Sequence, residues 1–164
     1  VVCRLPTAAA QAVKREGIAW HEEVVRHIAG SGVPVMGHVG LTPQSVNAFG
    51  GYRVQGKDAD SARIMLEDAL SLQEAGAQML VLECVPRELA AEITRELEIP
   101  VIGIGAGSDT DGQVLVLYDM LGITSGRLPR FAKNFLQENG SVHAAVAAIV
   151  RAVKDGSYPA TEHS

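Results

Sequence analysis

The sequence predicts an α/β fold built on a parallel sheet, and three observations carry that prediction. Four short apolar runs punctuate the chain, at Val33–Met36, Met79–Leu82, Val101–Ile104 and Val114–Leu117. Each is nearly continuous where a half-exposed strand would alternate, which is the pattern of strands buried on both faces. Segments of helical period lie between them and most connections are short. A β-α-β-α order with right-handed crossovers follows.

Taken in order, Ala12–Gly17 (AVKREG) can form a short strand ahead of the four. Its apolar run is only two residues long, so surface helix or loop is the plainer reading from pattern alone. If it is a strand, Lys14 and Glu16 share a face, because side chains alternate with period two. His21 to Ala29 reads as a helix before the Val33–Met36 strand. Asp60 to Ala75 places Ala62, Met65, Leu66, Ala69 and Leu70 at helical spacing and stops at Gly76. Pro86 suits a first helical turn, and Leu89, Ile93 and Leu97 recur every four residues before Pro100 ends the pattern. Beyond the last strand, Ala132 to Leu136 and Val142 to Lys154 close the chain as helices. Periodicity leaves barrel or doubly wound layer open.

The bulk properties exclude several classes. A chain of 164 residues is expected to be one domain, and 47% hydrophobic with 20% charged residues is ordinary for a globular protein. The formal charge is −5, from 14 basic and 19 acidic residues with both signs scattered, which argues against nucleic acid as a partner. Two cysteines, Cys3 and Cys84, form neither a disulfide framework nor a zinc-ligand spacing, and a reducing, cytoplasmic setting is expected. No apolar run reaches the length of about 18 residues that spans a bilayer, and no signal-peptide pattern opens the chain.

The longest strand-to-helix connection, Leu41 to Gly56 (LTPQSVNAFGGYRVQG), is rich in Gly, Asn and Gln. Such connections usually run to about 2–6 residues, and much longer ones tend to be lids or binding loops. Charge also gathers where strands stop. The Met79–Leu82 run ends in Glu83, the Val33–Met36 run in Gly37-His38, and the short upstream strand would carry Lys14 and Glu16. Carboxyl ends of parallel strands are where α/β proteins place their chemistry. A lysine, two glutamates and a histidine converging there suit an anionic, metal-chelating substrate and an acid–base step. The plainer alternatives are a solvated Glu83, surface positions for Lys14 and Glu16, and a hydrogen-bonded core histidine at His38.

Gly103-Ile104-Gly105-Ala106-Gly107 invites a dinucleotide-loop reading and does not meet it. The fingerprint needs its third glycine one position later and belongs to a first strand–helix unit. Structural tightening and substrate contact both remain open for these glycines.

The segment GHVGLTPQSVNAFGGYRVQG resembles the ketopantoate hydroxymethyltransferases. The resemblance continues through AGAQMLVLECVP, IPVIGIGAG, TDGQVLV, RFAKNFL and YPATEHS, from about Val13 to Ser164 without gaps. It implies a (β/α)8 barrel, of which this chain supplies the last five βα units as a single incomplete domain over residues 1–164. Residues 1–11 (VVCRLPTAAAQ) carry no resemblance, and Arg15 and Ile18 depart from the family pattern. The implied chemistry is hydroxymethyl transfer from 5,10-methylenetetrahydrofolate to 3-methyl-2-oxobutanoate, giving ketopantoate for pantothenate and coenzyme A synthesis. The oxo acid chelates Mg²⁺, which stabilises the enolate left when a carboxylate removes the C3 proton.

Residue by residue, the resemblance implies that Glu83 is the proton acceptor and that Lys14 contacts the oxo acid. Glu16 is implied as a magnesium-associated carboxylate and His38 as a neighbour of bound substrate. A base of this kind works best with a raised pKa, which a largely dry barrel mouth would supply. The family's two magnesium aspartates and a substrate-holding serine lie in earlier strands, so the isolated chain is expected to be inactive. The full-length form is expected to be a homo-oligomer. Two other readings are a non-catalytic half-barrel module, and a Mg²⁺–enolate lyase of the phosphoenolpyruvate mutase or isocitrate lyase kind. Against the lyase stand the Leu41–Gly56 loop and Cys84, which alternation would point away from the site.

Overall fold

The computed structural model of the chain describes residues 10–17, 22–47 and 50–163. Expectations for 1–9, Ile18, His21 and positions 48–49 of the long loop therefore lie outside the described residues. Five strands, β1 (Val13–Glu16), β2 (Val35–Gly40), β3 (Met79–Glu83), β4 (Val101–Ile104) and β5 (Gly112–Gln113), form one sheet in that order. Every neighbouring pair is parallel. The order never reverses, as it would in a doubly wound sheet. AVKREG is thus a strand, and Lys14 and Glu16 do share a face.

Three crossover helices connect the first four strands: α1 (Glu22–Gly30), α2 (Ala59–Glu74) and α3 (Arg87–Glu96). Their ends follow from local chemistry. The Asp58 carboxylate accepts from the Ser61 N–H at 3.0 Å and starts α2, and Gly76 in a left-handed conformation (φ +101°) lets the chain turn back after it. The apolar face of these helices packs on one face of the sheet. Val35, Val39, Leu80, Leu82 and Val101 meet Val25, Ala69, Leu72, Ala90 and Ile93 in a single core cluster. Burying each of the larger side chains contributes about 1.5–3 kcal/mol. Alternation then turns Lys14, Glu16, His38, Val81 and Glu83 to the opposite face.

The fourth apolar run is not a strand. Pairing stops at Gly112–Gln113, apart from one further bond from the Val114 N–H to the Gly103 carbonyl, and Leu117–Met120 forms a short helix, α4. The reason lies in the partner. The chain leaves β4 at Gly105 with φ +61°, so no strand edge continues for residues 114–117 to pair with. Val116 and Leu117 are accordingly about half exposed.

The C-terminal helices are α5 (Phe135–Asn139) and α6 (Val142–Lys154). The first begins three residues later than the apolar spacing predicts, because Asn134 caps it by accepting from the Gln137 N–H at 3.0 Å. These helices gather a second, smaller core of Met120, Phe135, Ala145 and Tyr158.

Candidate active site

Sheet register brings the charged residues together. Glu16 pairs with His38 across β1 and β2, and Gly40 pairs with Glu83 across β2 and β3. Strand β2 runs on to Gly40, so His38 lies within it, not at its end, and is 2% exposed. Gly40 is where β2 comes closest to the Glu83 backbone. A Cβ there would sit 2.1 Å from the Glu83 carbonyl oxygen, and the position has φ +87°. Only glycine fits such a place. The Leu41 N–H then donates to that same carbonyl at 2.8 Å, fixing the strand end that carries the Glu83 side chain.

The four predicted site residues form one chain of contacts. Lys14 Nζ donates to Glu16 Oε1 and to His38 Nδ1, both at 2.8 Å. His38 Nε2 lies 3.1 Å from Glu83 Oε2, close but without the alignment of a hydrogen bond. An ammonium can only donate, so Nδ1 must be the accepting nitrogen and neutral His38 carries its proton on Nε2. That proton points toward the Glu83 carboxylate. Lys14 has three donors and spends two on the protein, which leaves one for a ligand; its side chain is 44% exposed.

Glu16 is held firmly as the anionic partner. Burial alone pushes its carboxyl up, but the Lys14 hydrogen bond, the Gln44 N–H donated at 3.1 Å and the nearby Lys14 charge outweigh that. The net result is a carboxyl below its ordinary value. Gln44 belongs to the 3-10 turn Pro43–Ser45 at the start of the long loop, so that loop touches the charged cluster directly.

Beyond Glu83 opens a cavity of about 730 Å³. The long loop supplies Leu41, Tyr52 and Arg53 to its wall, and the segment after α4 supplies Arg127, Arg130 and Phe131. Cys84 lines it as well. Alternation points Cys84 away, yet the residue has φ +50°, just past the end of β3, and this bend turns it to the cavity. Burial and the Glu83 charge push its thiol up to about 12, so it is no ready acid or nucleophile.

Asp119 also lines this cavity while 6% exposed. The motif reading missed it, together with Arg127 and Arg130. A carboxylate inside the apolar run Val114–Leu121 was the available signal, since a buried acid needs a reason.

A family model described as ketopantoate hydroxymethyltransferase matches residues 2–161, a span that includes residues 2–11. The 3-methyl-2-oxobutanoate hydroxymethyltransferase of Stutzerimonas stutzeri (strain A1501) is 61% identical over 160 residues, 97% of this chain and 60% of that protein. The one from Erwinia tasmaniensis is 60% identical over 161 residues, 98% of this chain and 61% of that protein. The chain thus spans about 60% of the length of the curated relatives it matches. A solved structure described as "Native KDPGal structure" aligns over 94% of this chain and 65% of that one, at TM-score 0.49 and 17% identity.

Proposed function

This chain belongs to the ketopantoate hydroxymethyltransferase family, and from that premise we propose that the whole protein makes ketopantoate for pantothenate synthesis. The substrates are 3-methyl-2-oxobutanoate and 5,10-methylenetetrahydrofolate. The observation that carries this reading is the contact chain Lys14–His38–Glu83, with Glu16 anchoring Lys14, on one sheet face.

The free donor of Lys14 takes the carboxylate of the oxo acid. His38 Nε2 stands 3.1 Å from Oε2 of Glu83, and Glu83 is the carboxylate that accepts the C3 proton. The C3–H bond breaks, its electron pair forms the new bond to the methylene carbon, tetrahydrofolate leaves, and water supplies the hydroxyl oxygen. Glu83, with a side chain 15% exposed at the edge of the cavity, is placed to exchange its proton afterwards.

Magnesium belongs to the reaction the family resemblance implies. Among the described residues no three His, Cys, Asp or Glu side chains gather as a cation site. Glu16 has both carboxylate oxygens committed to the protein. These residues do not fit a ligand set for Mg²⁺, so no step here runs through the ion. If other strands of the whole protein held the ion, Glu16 would act as a hydrogen-bonded neighbour to it, with its own oxygens kept by Lys14 and Gln44.

We further propose that the five parallel strands are part of an eight-stranded barrel and that the full-length protein is a cytoplasmic homo-oligomer. The 164-residue chain alone is inactive; Mg²⁺-dependent turnover by it would overturn this. Among the described residues no helix is long and apolar enough to cross a membrane.

The test is exchange of the C3 proton of 3-methyl-2-oxobutanoate in D₂O, followed by proton NMR on the full-length protein without a folate. Wild-type protein exchanges the proton and Glu83→Gln slows it by about 10²–10⁴-fold. Exchange that survives the substitution removes Glu83 as the base.

A further inference from the structure

The long loop leaves β2 and is pinned to the strands on both sides of it. Toward β3, its two feet donate to consecutive carbonyls: the Leu41 N–H to Glu83 and the Gln55 N–H to Cys84, both at 2.8 Å. Toward β1, the Gln44 N–H donates to Glu16 Oε2 at 3.1 Å. A loop whose feet meet in this way is a compact built element, and such loops frequently serve function.

The pin on β1 differs from the other two, because it ends on a side chain with a second task. Glu16 Oε1 accepts from Lys14 Nζ at 2.8 Å while Oε2 accepts from Gln44. A carboxylate is planar, so fixing one oxygen on a backbone N–H fixes the direction in which the other meets the ammonium. The Glu16 side chain is only 10% exposed, so little water is at hand to replace either bond. The turn is built to supply this donor. Pro43 has no N–H, and the Ser45 N–H is spent inside the turn on the Thr42 carbonyl at 2.9 Å. That leaves the Gln44 N–H directed outward, to Glu16. Lys14, by contrast, is a long and half-exposed side chain. Ordering such a chain is a cost of binding, and a lysine held beforehand loses less freedom when its third donor takes a carboxylate.

Resting on the reaction proposed above, we infer that Glu16 is a positioning residue that couples the long loop to the oxo acid. The Pro43–Ser45 turn orients the Glu16 carboxylate, and Glu16 orients Lys14 toward the carboxylate of the substrate. Coupling of this kind is reciprocal, so oxo acid bound at Lys14 strengthens the bond between Gln44 and Glu16.

The experiment uses the full-length protein with Glu16→Asp, Pro43→Gly and the double variant. Aspartate keeps the charge but is one carbon shorter and does not span Lys14 and Gln44 together. Hydrogen exchange of the Gln44 amide is followed by NMR, and the Kd of 3-methyl-2-oxobutanoate is measured at one fixed Mg²⁺ concentration. Glu16→Asp is expected to speed Gln44 exchange by about fivefold or more, the size of a lost charge-assisted bond. It is expected to raise the Kd of the oxo acid by about fivefold, the size of ordering one long side chain on binding. Pro43→Gly, which loosens the turn, is expected to raise that Kd by about threefold in the wild-type background and no further in Glu16→Asp, where the link is already broken. Unchanged Gln44 exchange in Glu16→Asp would overturn the inference. So would an equal effect of Pro43→Gly in both backgrounds, which is the result for a Glu16 that serves only a metal. Wild-type protein supplies a test that needs no variant: saturating oxo acid should slow Gln44 exchange by about twofold or more, and exchange unmoved by it would also overturn the inference. Failure of the reaction itself is separable, since wild-type protein would then show no C3 exchange, whereas Gln44 exchange in Glu16→Asp requires no substrate.

Discussion

Replacing Lys14 by Met removes the ammonium and keeps most of the aliphatic stem. In the wild type that ammonium supplies the hydrogen bond to Nδ1 of His38, a ring only 2% exposed. Leaving a buried acceptor without its donor costs about 1–3 kcal/mol. The ion pair with Glu16 adds less, because the Lys14 side chain is 44% exposed and such pairs contribute about 0–1 kcal/mol. The expected loss of stability is therefore roughly 2 kcal/mol, read by urea unfolding of the full-length protein. The same substitution frees the imidazole proton to move to Nδ1, where Glu16 Oε1 lies 3.8 Å away. Nitrogen-15 NMR of the ring tests this separately: wild-type His38 should carry its proton on Nε2, and the variant should lose that preference. A wild-type ring protonated on Nδ1, or a destabilisation below about 0.5 kcal/mol, refutes the reasoning, the latter being what an ordinary surface change costs.

Three further predictions follow from titration and packing. Glu16 has a folded-state carboxyl below its ordinary value of 4.5, so its contribution to stability is complete above pH 4.5 and lost as pH falls through the lower folded value. Unfolding midpoints compared between about pH 5 and pH 3 should fall less steeply in Lys14→Met than in wild type. Asp68 in α2 is pushed up by burial, then by Glu67 and Glu22, so its charge opposes folding above its ordinary value of 3.8. Asp68→Asn should raise the melting temperature at neutral pH, with the gain vanishing below 3.8; an equal gain at all pH values would exclude the electrostatic cause. Cys84, whose thiol burial and then the Glu83 charge push up to about 12, should react with iodoacetamide at pH 8 far more slowly than an unstructured cysteine peptide, and comparable rates would refute that shift.

Much of the fold was legible because hydrophobic period is a local property. The runs at Met79–Leu82 and Val101–Ile104 coincide with strand bodies, Val33–Met36 overlaps only the first two residues of β2, which runs on to Gly40, and Val142–Lys154 is a helix over its whole predicted length. The failures are instructive for the same reason. Val114–Leu117 has the composition of a buried strand, but pairing requires an edge, and β4 bends away at Gly105. Cys84 obeys the alternation rule in sequence and breaks it in space through one left-handed residue. Asp119, Arg127 and Arg130 went unread since their shared cavity is assembled from the ends of β3 and β4, the long loop and the segment after α4.

By itself, the sequence determined the element types, their order, the family and the four charged residues worth watching. Those follow from periodicity, composition and motifs, each readable within a window of neighbours. Only the tertiary structure decided that Lys14 spends two of its donors on Glu16 and His38, that His38 carries its proton toward Glu83, and that a buried carboxylate and three arginines line one cavity. Those relations depend on the register between strands far apart in the chain. A shift of one residue in a strand would turn its share of Lys14, Glu16, His38 and Glu83 to the opposite face, and no local pattern specifies that register.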